Sequence, residues 1–327
     1  GLSWGGDTGN EYIYIAIRRP HKPPSAGTEV FDVQTSADDG GSGTLTSTSV
    51  TADLTITAVR SSGWDKWAAT RILGNTQLLT ISSSAASSSY SQWSLDEQYG
   101  FRHTSFTASN SIVDYTFRRA PGFLDCLAYE GTGSVQTVPH GLGVAPELLL
   151  VRRLTGVGYL VYSADYGASG YGVLAENFAF DTGYWGSGSG MWNNTDPTSS
   201  VFTLGSNNAT NVSGGDYVAY LFASLDGISK VGSYSGTGSD INVDCGFTAG
   251  ARFVLIKRTD SSGDWYAWDT ARGIIAGNDP YTLFNTTDAE VTSNDYIDPL
   301  NAGFTVTSTA PAGLNASGGT YIFLAIA

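Results

Sequence analysis

Asn315-Ala-Ser-Gly318-Gly319-Thr-Tyr321-Ile-Phe323-Leu-Ala325 stands at the end of the chain, and Asn211-Val-Ser-Gly214-Gly215-Asp-Tyr217-Val-Ala-Tyr220-Leu-Phe-Ala223 is its near copy. A weaker copy runs Asn110-Ser-Ile-Val-Asp-Tyr115-Thr-Phe117, and another stands near the start as Gly9-Asn-Glu-Tyr12-Ile-Tyr14-Ile-Ala16. Aligned on Tyr12, Tyr115, Tyr217 and Tyr321, the copies lie 103, 102 and 104 residues apart. Self-similarity at a fixed period means that one folding unit has been copied.

Other landmarks keep nearly the same spacing. Tyr129-Glu-Gly131-Thr-Gly133 matches Tyr234-Ser-Gly236-Thr-Gly238, and Leu148 to Arg153 matches Phe253 to Arg258, both at an offset of 105. Trp64 and Trp67 align with Trp265 and Trp268, with Tyr159 and Tyr162 in those places in the middle copy. The chain therefore divides into residues 1–20, a closing strand plus linker, and three units at 21–121, 122–226 and 227–327, the first the most divergent. Residues 1–20 read as belonging to a preceding unit or as exchanged within an oligomer, because a lone edge strand invites pairing. The Gly1 start and the single methionine, Met191, suggest a fragment or processed product.

Each unit reads as strands. Leu54 to Arg60 alternates at period two, while Arg252 to Lys257 and Ile322 to Ile326 are short apolar runs bounded by Gly, Asn, Asp and Ser turns. Gly accounts for 41 of 327 residues and charged residues for only 14%, which suits short strands with tight turns better than long helices. The expected fold is all-β, a tandem series of antiparallel, jelly-roll-like β-sandwiches of about 100 residues each.

The net charge of −14 argues against nucleic acid, whose phosphates call for Lys and Arg, and against adhesion to anionic lipid. No apolar run is long enough to suggest membrane insertion. Cys126 and Cys245 fall at different places in their units, so neither a disulfide nor a zinc site is expected. Asn-x-Ser/Thr sequons at Asn193, Asn208, Asn211, Asn285 and Asn315 fit the abundance of these residue types. For calcium, Asp38-Asp39-Gly40-Gly41 and Asn294-Asp295 are suggestive, but neither follows the Asp-x-Asp-x-Asp-Gly loop. No metal or cofactor is therefore assigned.

No catalytic residue is assigned either. The three histidines, His21, His103 and His140, fall in a linker, beside a strand and in a turn. Gly186-Ser-Gly-Ser-Gly190 satisfies Gly-x-Ser-x-Gly but lacks the strand-to-helix elbow that exposes a nucleophile. A glycosidase needs two carboxylates at a set separation, and sequence cannot pair Asp264, Asp269, Asp288 or Glu290. Aromatics shared between units read as fold determinants. Those peculiar to one unit are the candidate ligand contacts: Tyr184, Trp185, Trp192 and Asn193 in the Gly-rich stretch of the middle unit, with Tyr90 and Trp93 in the first. An exposed indole offers a stacking face and a donor, and the alternative is that these rings pack the loop onto its own sandwich.

The run from Gly246 to Ala327, with Phe253 to Arg258, Trp265 to Gly273 and Asn315 to Ala325, resembles a repeat of virion proteins of marine bacteriophages, including tail fibres. The middle unit departs from it between Tyr159 and Gly167, where the Trp-Asp and Arg-Gly elements are lost. The resemblance implies a non-enzymatic structural and adhesive component of a virion appendage at the virion surface, a homo-oligomer meeting other virion proteins and a host-surface glycan or protein. Rival expectations are a capsid decoration protein, a secreted carbohydrate-binding adhesin and a virion glycan depolymerase.

Overall fold

The computed structural model describes residues 22–37, 45–61, 63–74, 77–89, 93–95, 97–102, 111–181, 183 and 186–327. The closing strand and strand exchange expected of residues 1–20 lie outside them, as does Tyr12. The described chain is all-β, built from antiparallel sheets, and its α-helices, Gly188–Trp192, Asn208–Asn211 and Ala312–Asn315, are one turn each.

One strand order recurs along the chain. In the last unit the larger sheet runs Ser229–Ser235, Thr320–Ile326, Phe253–Arg258, Trp265–Asp269, Tyr281–Leu283, and a smaller sheet joins Ile241–Asp244, Gly303–Val306 and Ile297–Leu300. The middle unit orders Leu124–Glu130, Asp216–Phe222, Leu148–Arg153, Leu160–Ser163 and Gly172–Val173 in the same way, with Gln136–Pro139 paired to Val201–Leu204. The first unit does so with Phe31–Ala37, Ser111–Phe117, Leu54–Val59, Lys66–Thr70, Gln77–Thr80 and Ser88–Ser89, and pairs Leu45–Ser47 with Gly100–Arg102. First strand pairs with last and second with a late strand, as in a jelly roll. The third to fifth strands instead stay together as a meander.

Each larger sheet buries both faces. Val254 and Ile256 point into the last unit's own core beneath its smaller sheet, while Phe253 and Leu255 point the other way. The same alternation separates Leu149 and Val151 from Leu148 and Leu150. The second faces of all three larger sheets meet in one common core. Phe31, Phe117 and Phe253 lie there with ring centroids 5.2, 5.5 and 6.0 Å apart, and Phe222 meets Phe117 at 5.7 Å. In the middle and last units the strands covered on both sides read as unbroken apolar runs, whereas in the first unit Thr55 and Thr57 are buried within an alternating strand.

The units are joined head to tail in a closed ring. The loop after the fifth strand of each docks on the third strand of the next or on the residues just beyond it. Ser87 donates its N–H to Leu154 O (2.8 Å), Phe180 to Thr259 O (2.9 Å) and Glu290 to Arg60 O (3.0 Å). A buried cation holds each seam. Arg152 donates to Ser83 O and Ala85 O, Lys257 to Asn177 O (3.1 Å) and Lys66 to Thr286 O and Asp288 O (2.7 and 3.1 Å). In the first unit the cation has changed strands. Lys66 faces Ala58 across the sheet, whereas Lys257 faces Trp265. Burial pushes Lys257 down to about 7 and Lys66 to about 8. The seam between last and first units carries in addition a buried network. Arg272 meets Asp269 (2.6 Å), Glu290 (3.3 Å) and the Tyr115 hydroxyl (2.7 Å), and Glu290 also meets Arg60 (3.0 Å).

The register corrects two sequence alignments. Leu54 opposite Phe117, Leu148 opposite Phe222 and Phe253 opposite Ile326 are equivalent pairs. Tyr115 therefore corresponds to Tyr220 and Leu324, in the common core, and Ile112 holds the place of Tyr217 and Tyr321. Likewise Trp67, opposite Thr57, corresponds to Tyr266 opposite Ile256, not to Trp268, and Lys66 takes the place of Trp265. Trp265 and Trp268 point to opposite faces, and both are fully buried.

Removing one partner of a buried ion network strands the other charges, so Arg272→Ala is expected to cost about 3–5 kcal/mol of unfolding free energy in urea titrations. An unchanged midpoint would remove the network from this account. A second outcome concerns Asp279, fully buried with Oδ1 accepting from Ile275 N–H (2.7 Å) and Oδ2 unpartnered. Burial, with Asp295 and Asp298 close by, pushes its carboxyl from 3.8 up to about 7. The folded chain then holds a proton that the unfolded chain has lost, so this group's contribution falls as pH rises from about 4 to 7. Asp279→Asn should flatten the dependence of Tm on pH across that window and raise Tm above it.

Candidate functional site

The candidate ligand contacts of the Gly-rich stretch do not form an exposed aromatic platform where they are described. Trp192 is 1% exposed, closes the helix Gly188–Trp192, donates Nε1–H to Gly170 O (3.0 Å) and meets the Tyr162 ring edge-on at 5.9 Å. Trp93 is 2% exposed within the first unit's own core. Both are corrections: these indoles build the sandwiches. Asn193 is exposed and ends the helix in the left-handed conformation at φ 54°, its N–H bonded to Ser189 O. Glycine is required where the helix touches its surroundings, because a Cβ on Gly188 would stand 2.1 Å from Ser169 O. Tyr184, Trp185 and Tyr90 lie outside the described residues.

The repeated motifs are structural ties. Asn315 is buried. Its Oδ1 accepts from Thr237 and Gly238 N–H, and its Nδ2 donates to Ser239 O and Thr307 O. Asn211 serves the Gly131 to Ser134 turn in the same way. Tyr321 donates to Ala312 O, accepts from Ala316 N–H and stacks on Tyr234 at 4.9 Å, and Tyr217 does the same with Asn208, Val212 and Tyr129. The Asn211 and Asn315 sequons are thus closed to a modifying enzyme. His140 is spent on Thr198 O and Leu142 N–H, and His21 and His103 lie outside the described residues. Cys126 and Cys245 are free, and burial pushes both thiols up, Cys245 to about 12. Among the described residues no three His, Cys, Asp or Glu side chains are placed to hold a metal.

An open site lies at the seam between the middle and last units. Two adjoining hollows of 420 and 580 Å³ follow the edge strand Ser229–Ser235 and share Asp165, Ser233 and Tyr234. One is walled by Glu147, Lys230, Asn242 and Asp244, the other by Tyr166, Thr259 and Thr320. Both fall in the size range of small-molecule sites, and both are lined mainly by polar groups.

The Ala164–Tyr166 turn forms the facing wall. Ala164 N–H bonds to Glu147 O (2.8 Å), and Tyr166 and Gly167 N–H both bond to Ser163 O. Gly167 sits at φ 83°, which favours glycine. A Cβ on Gly170 would stand 2.0 Å from the Tyr166 ring, so that glycine makes room for the ring, which leans on Phe180 at 5.1 Å and stays 38% exposed.

Strand register identifies what this wall replaces. Ser163, Thr70 and Asp269 are equivalent, each opposite the first residue of its unit's third strand. Three positions on come Tyr166, Leu73 and Arg272. Leu73, with Ile72, packs on the common core at the first seam, and Arg272 is locked in the ion network at the last. Only at the middle seam does this position present an exposed ring. The departure between Tyr159 and Gly167 is the sequence signal that could have found the site.

The chain belongs to the family described as Domain of unknown function (DUF7483), whose family model matches residues 120–327. That span holds both walls of the groove. No curated protein matches the chain.

If Trp192 is core rather than a ligand contact, Trp192→Ala should cost about 3–5 kcal/mol of stability, measured by denaturant unfolding. A variant with unchanged stability would restore the indole as a surface candidate.

Proposed function

We propose that this DUF7483 member is a non-enzymatic structural and adhesive component of a bacteriophage virion appendage, a tail fibre or capsid fibre, exposed at the virion surface. The observation that carries the reading is the closed ring with a polar groove at its middle seam. Three sheets share a core and are tied by buried cations, which suits a rigid mechanical block. The seam between the middle and last units is furnished with a polar groove beside an exposed tyrosine, which suits a contact surface. The likeness of the Gly246 to Ala327 run to virion repeats supplies the setting. Partners in this reading are further copies of the chain, other virion proteins and a host-surface molecule. The acidic chain repels nucleic acid and anionic lipid.

Gold-labelled antibody against the purified chain, applied to particles from a culture that produces it, should decorate an external fibre. Gold on a smooth capsid face would favour a decoration protein instead, and gold absent from particles while the chain is abundant in cell fractions would overturn the reading. Shortening of host polysaccharide by the purified chain would overturn its non-enzymatic part.

A further inference from the structure

We propose that the groove between the Ala164–Tyr166 turn and the Ser229–Ser235 strand is a binding site for an uncharged, polyhydroxylated glycan chain, a ligand class that rests on the adhesive reading above. The groove has a single stacking surface. The hydroxyls of Tyr234 and Tyr321 are spent on Leu314 O and Ala312 O, and their rings stack on each other. Tyr166 alone keeps an exposed ring, braced from behind by Phe180. A braced tyrosine loses little rotamer entropy on binding, and its face suits the C–H side of a sugar ring.

The rest of the lining is chosen for hydroxyl groups. Asp165 is exposed beside the ring, and Asp244 and Asn242 project from the neighbouring strand Ile241–Asp244. Each carboxylate keeps acceptor capacity beyond its local bonds: Asp244 Oδ1 takes Gly246 N–H and Glu147 Oε2 takes Ser224 N–H, leaving a second oxygen on each. Asn242 uses its Oδ1 for Thr305 and keeps an amide donor. Carboxylates beside an aromatic face accept from sugar hydroxyls while the amide and Ser233 donate.

Charge decides against acidic sugars and nucleic acid. Glu147, Asp165 and Asp244 face one ammonium, Lys230, on a chain of net charge −14. An anionic polymer would enter against that field. Shape decides for a chain over a monosaccharide, because the two hollows run on into each other along one strand edge. The sharing of Asp165, Ser233 and Tyr234 makes them neighbouring subsites of one groove. An extended peptide added to the edge strand is the competing occupant. It is disfavoured because the groove offers polar walls in place of the apolar pockets that alternate side chains seek.

The test uses the full chain on an array carrying neutral, amino and acidic oligosaccharides, with the best hit titrated calorimetrically. Wild-type protein should bind neutral oligosaccharides, and Tyr166→Ala should weaken binding about tenfold, the loss of one aromatic contact. Gly170→Ala, which touches no ligand but displaces the Tyr166 ring, should weaken it too. Val144→Ser, at an exposed residue outside the groove lining, should leave affinity unchanged, and thermal unfolding of every variant separates lost binding from lost fold. Binding confined to acidic glycans, neutral binding indifferent to Tyr166→Ala in a folded variant, or binding of an extended peptide in this groove would each overturn the proposal. If no glycan binds while gold still marks an external fibre, the ligand class falls and the appendage reading stands.

Discussion

Every larger sheet in this protein has two faces to bury, and its small companion sheet can cover only one. That constraint organises the rest. Each sheet's second face needs an apolar partner of the same size, and the partners available are the equivalent sheets of the other units. Three such faces turned inward make the common core around Phe31, Phe117, Phe222 and Phe253. Burial of this kind is non-directional and scales with area, so it brings the sheets together without fixing how they are rotated. Rotation is fixed by the seams, where each unit lends a loop to the next and the last lends one to the first. A head-to-tail contact that closes on itself gives a ring rather than a filament. Here the ring lies within one chain.

The seams show how a repeated contact tolerates substitution. A loop that docks on a strand end brings carbonyl oxygens into a dry place, and each needs a donor. Arg152, Lys257 and Lys66 supply it from a strand facing the common core. Arginine and lysine are not equivalent donors, and Lys66 comes from a different strand. What is preserved is a cation in one volume of space rather than a residue at one sequence position. Holding an ammonium there costs desolvation, which is why Lys257 and Lys66 are pushed down toward neutrality. The last-to-first seam, which has no covalent connection between neighbouring units, carries the additional Arg272, Asp269, Glu290 and Arg60 network. The groove follows from the same logic in reverse. Where Tyr166 stands in the place of Arg272 and Leu73, that position adds neither a lock nor a plug to the Lys257 tie, and one wall is left for a visitor.

Much of the architecture was legible because it depends on local chemistry. Apolar runs such as Phe253 to Arg258, Gly-rich turns and the paired Tyr and Asn landmarks are properties of short segments, and they mark sheets directly. The assignments that failed are those in which one residue type does two jobs. Tyr115 and Tyr217 look alike in sequence, yet one faces the common core and the other its own sandwich, because the alternation of strand faces turns on a register that spacing alone left three residues out. The alignment of Trp67 with Trp268 was two residues out, a slip that keeps the strand face and so leaves the apolar pattern undisturbed. Trp93 and Trp192 were candidate ligand contacts because each is peculiar to one unit, Trp192 in a glycine-rich stretch. Glycine there serves the opposite end, letting backbones approach closely enough to enclose an indole.

The residues by themselves determined the strand-forming character, the antiparallel sandwich class and the near-regular spacing of landmarks, since each is written in side-chain alternation and turn chemistry over a few neighbours. Only the tertiary structure decided that the sheets share one core, that the seams close into a ring, and that Tyr166 rather than Trp192 meets solvent beside a groove. Those outcomes depend on which surfaces meet across more than a hundred residues of chain. No local pattern encodes that, because the free energy that selects it comes from burying faces against one another rather than from the preferences of any one segment.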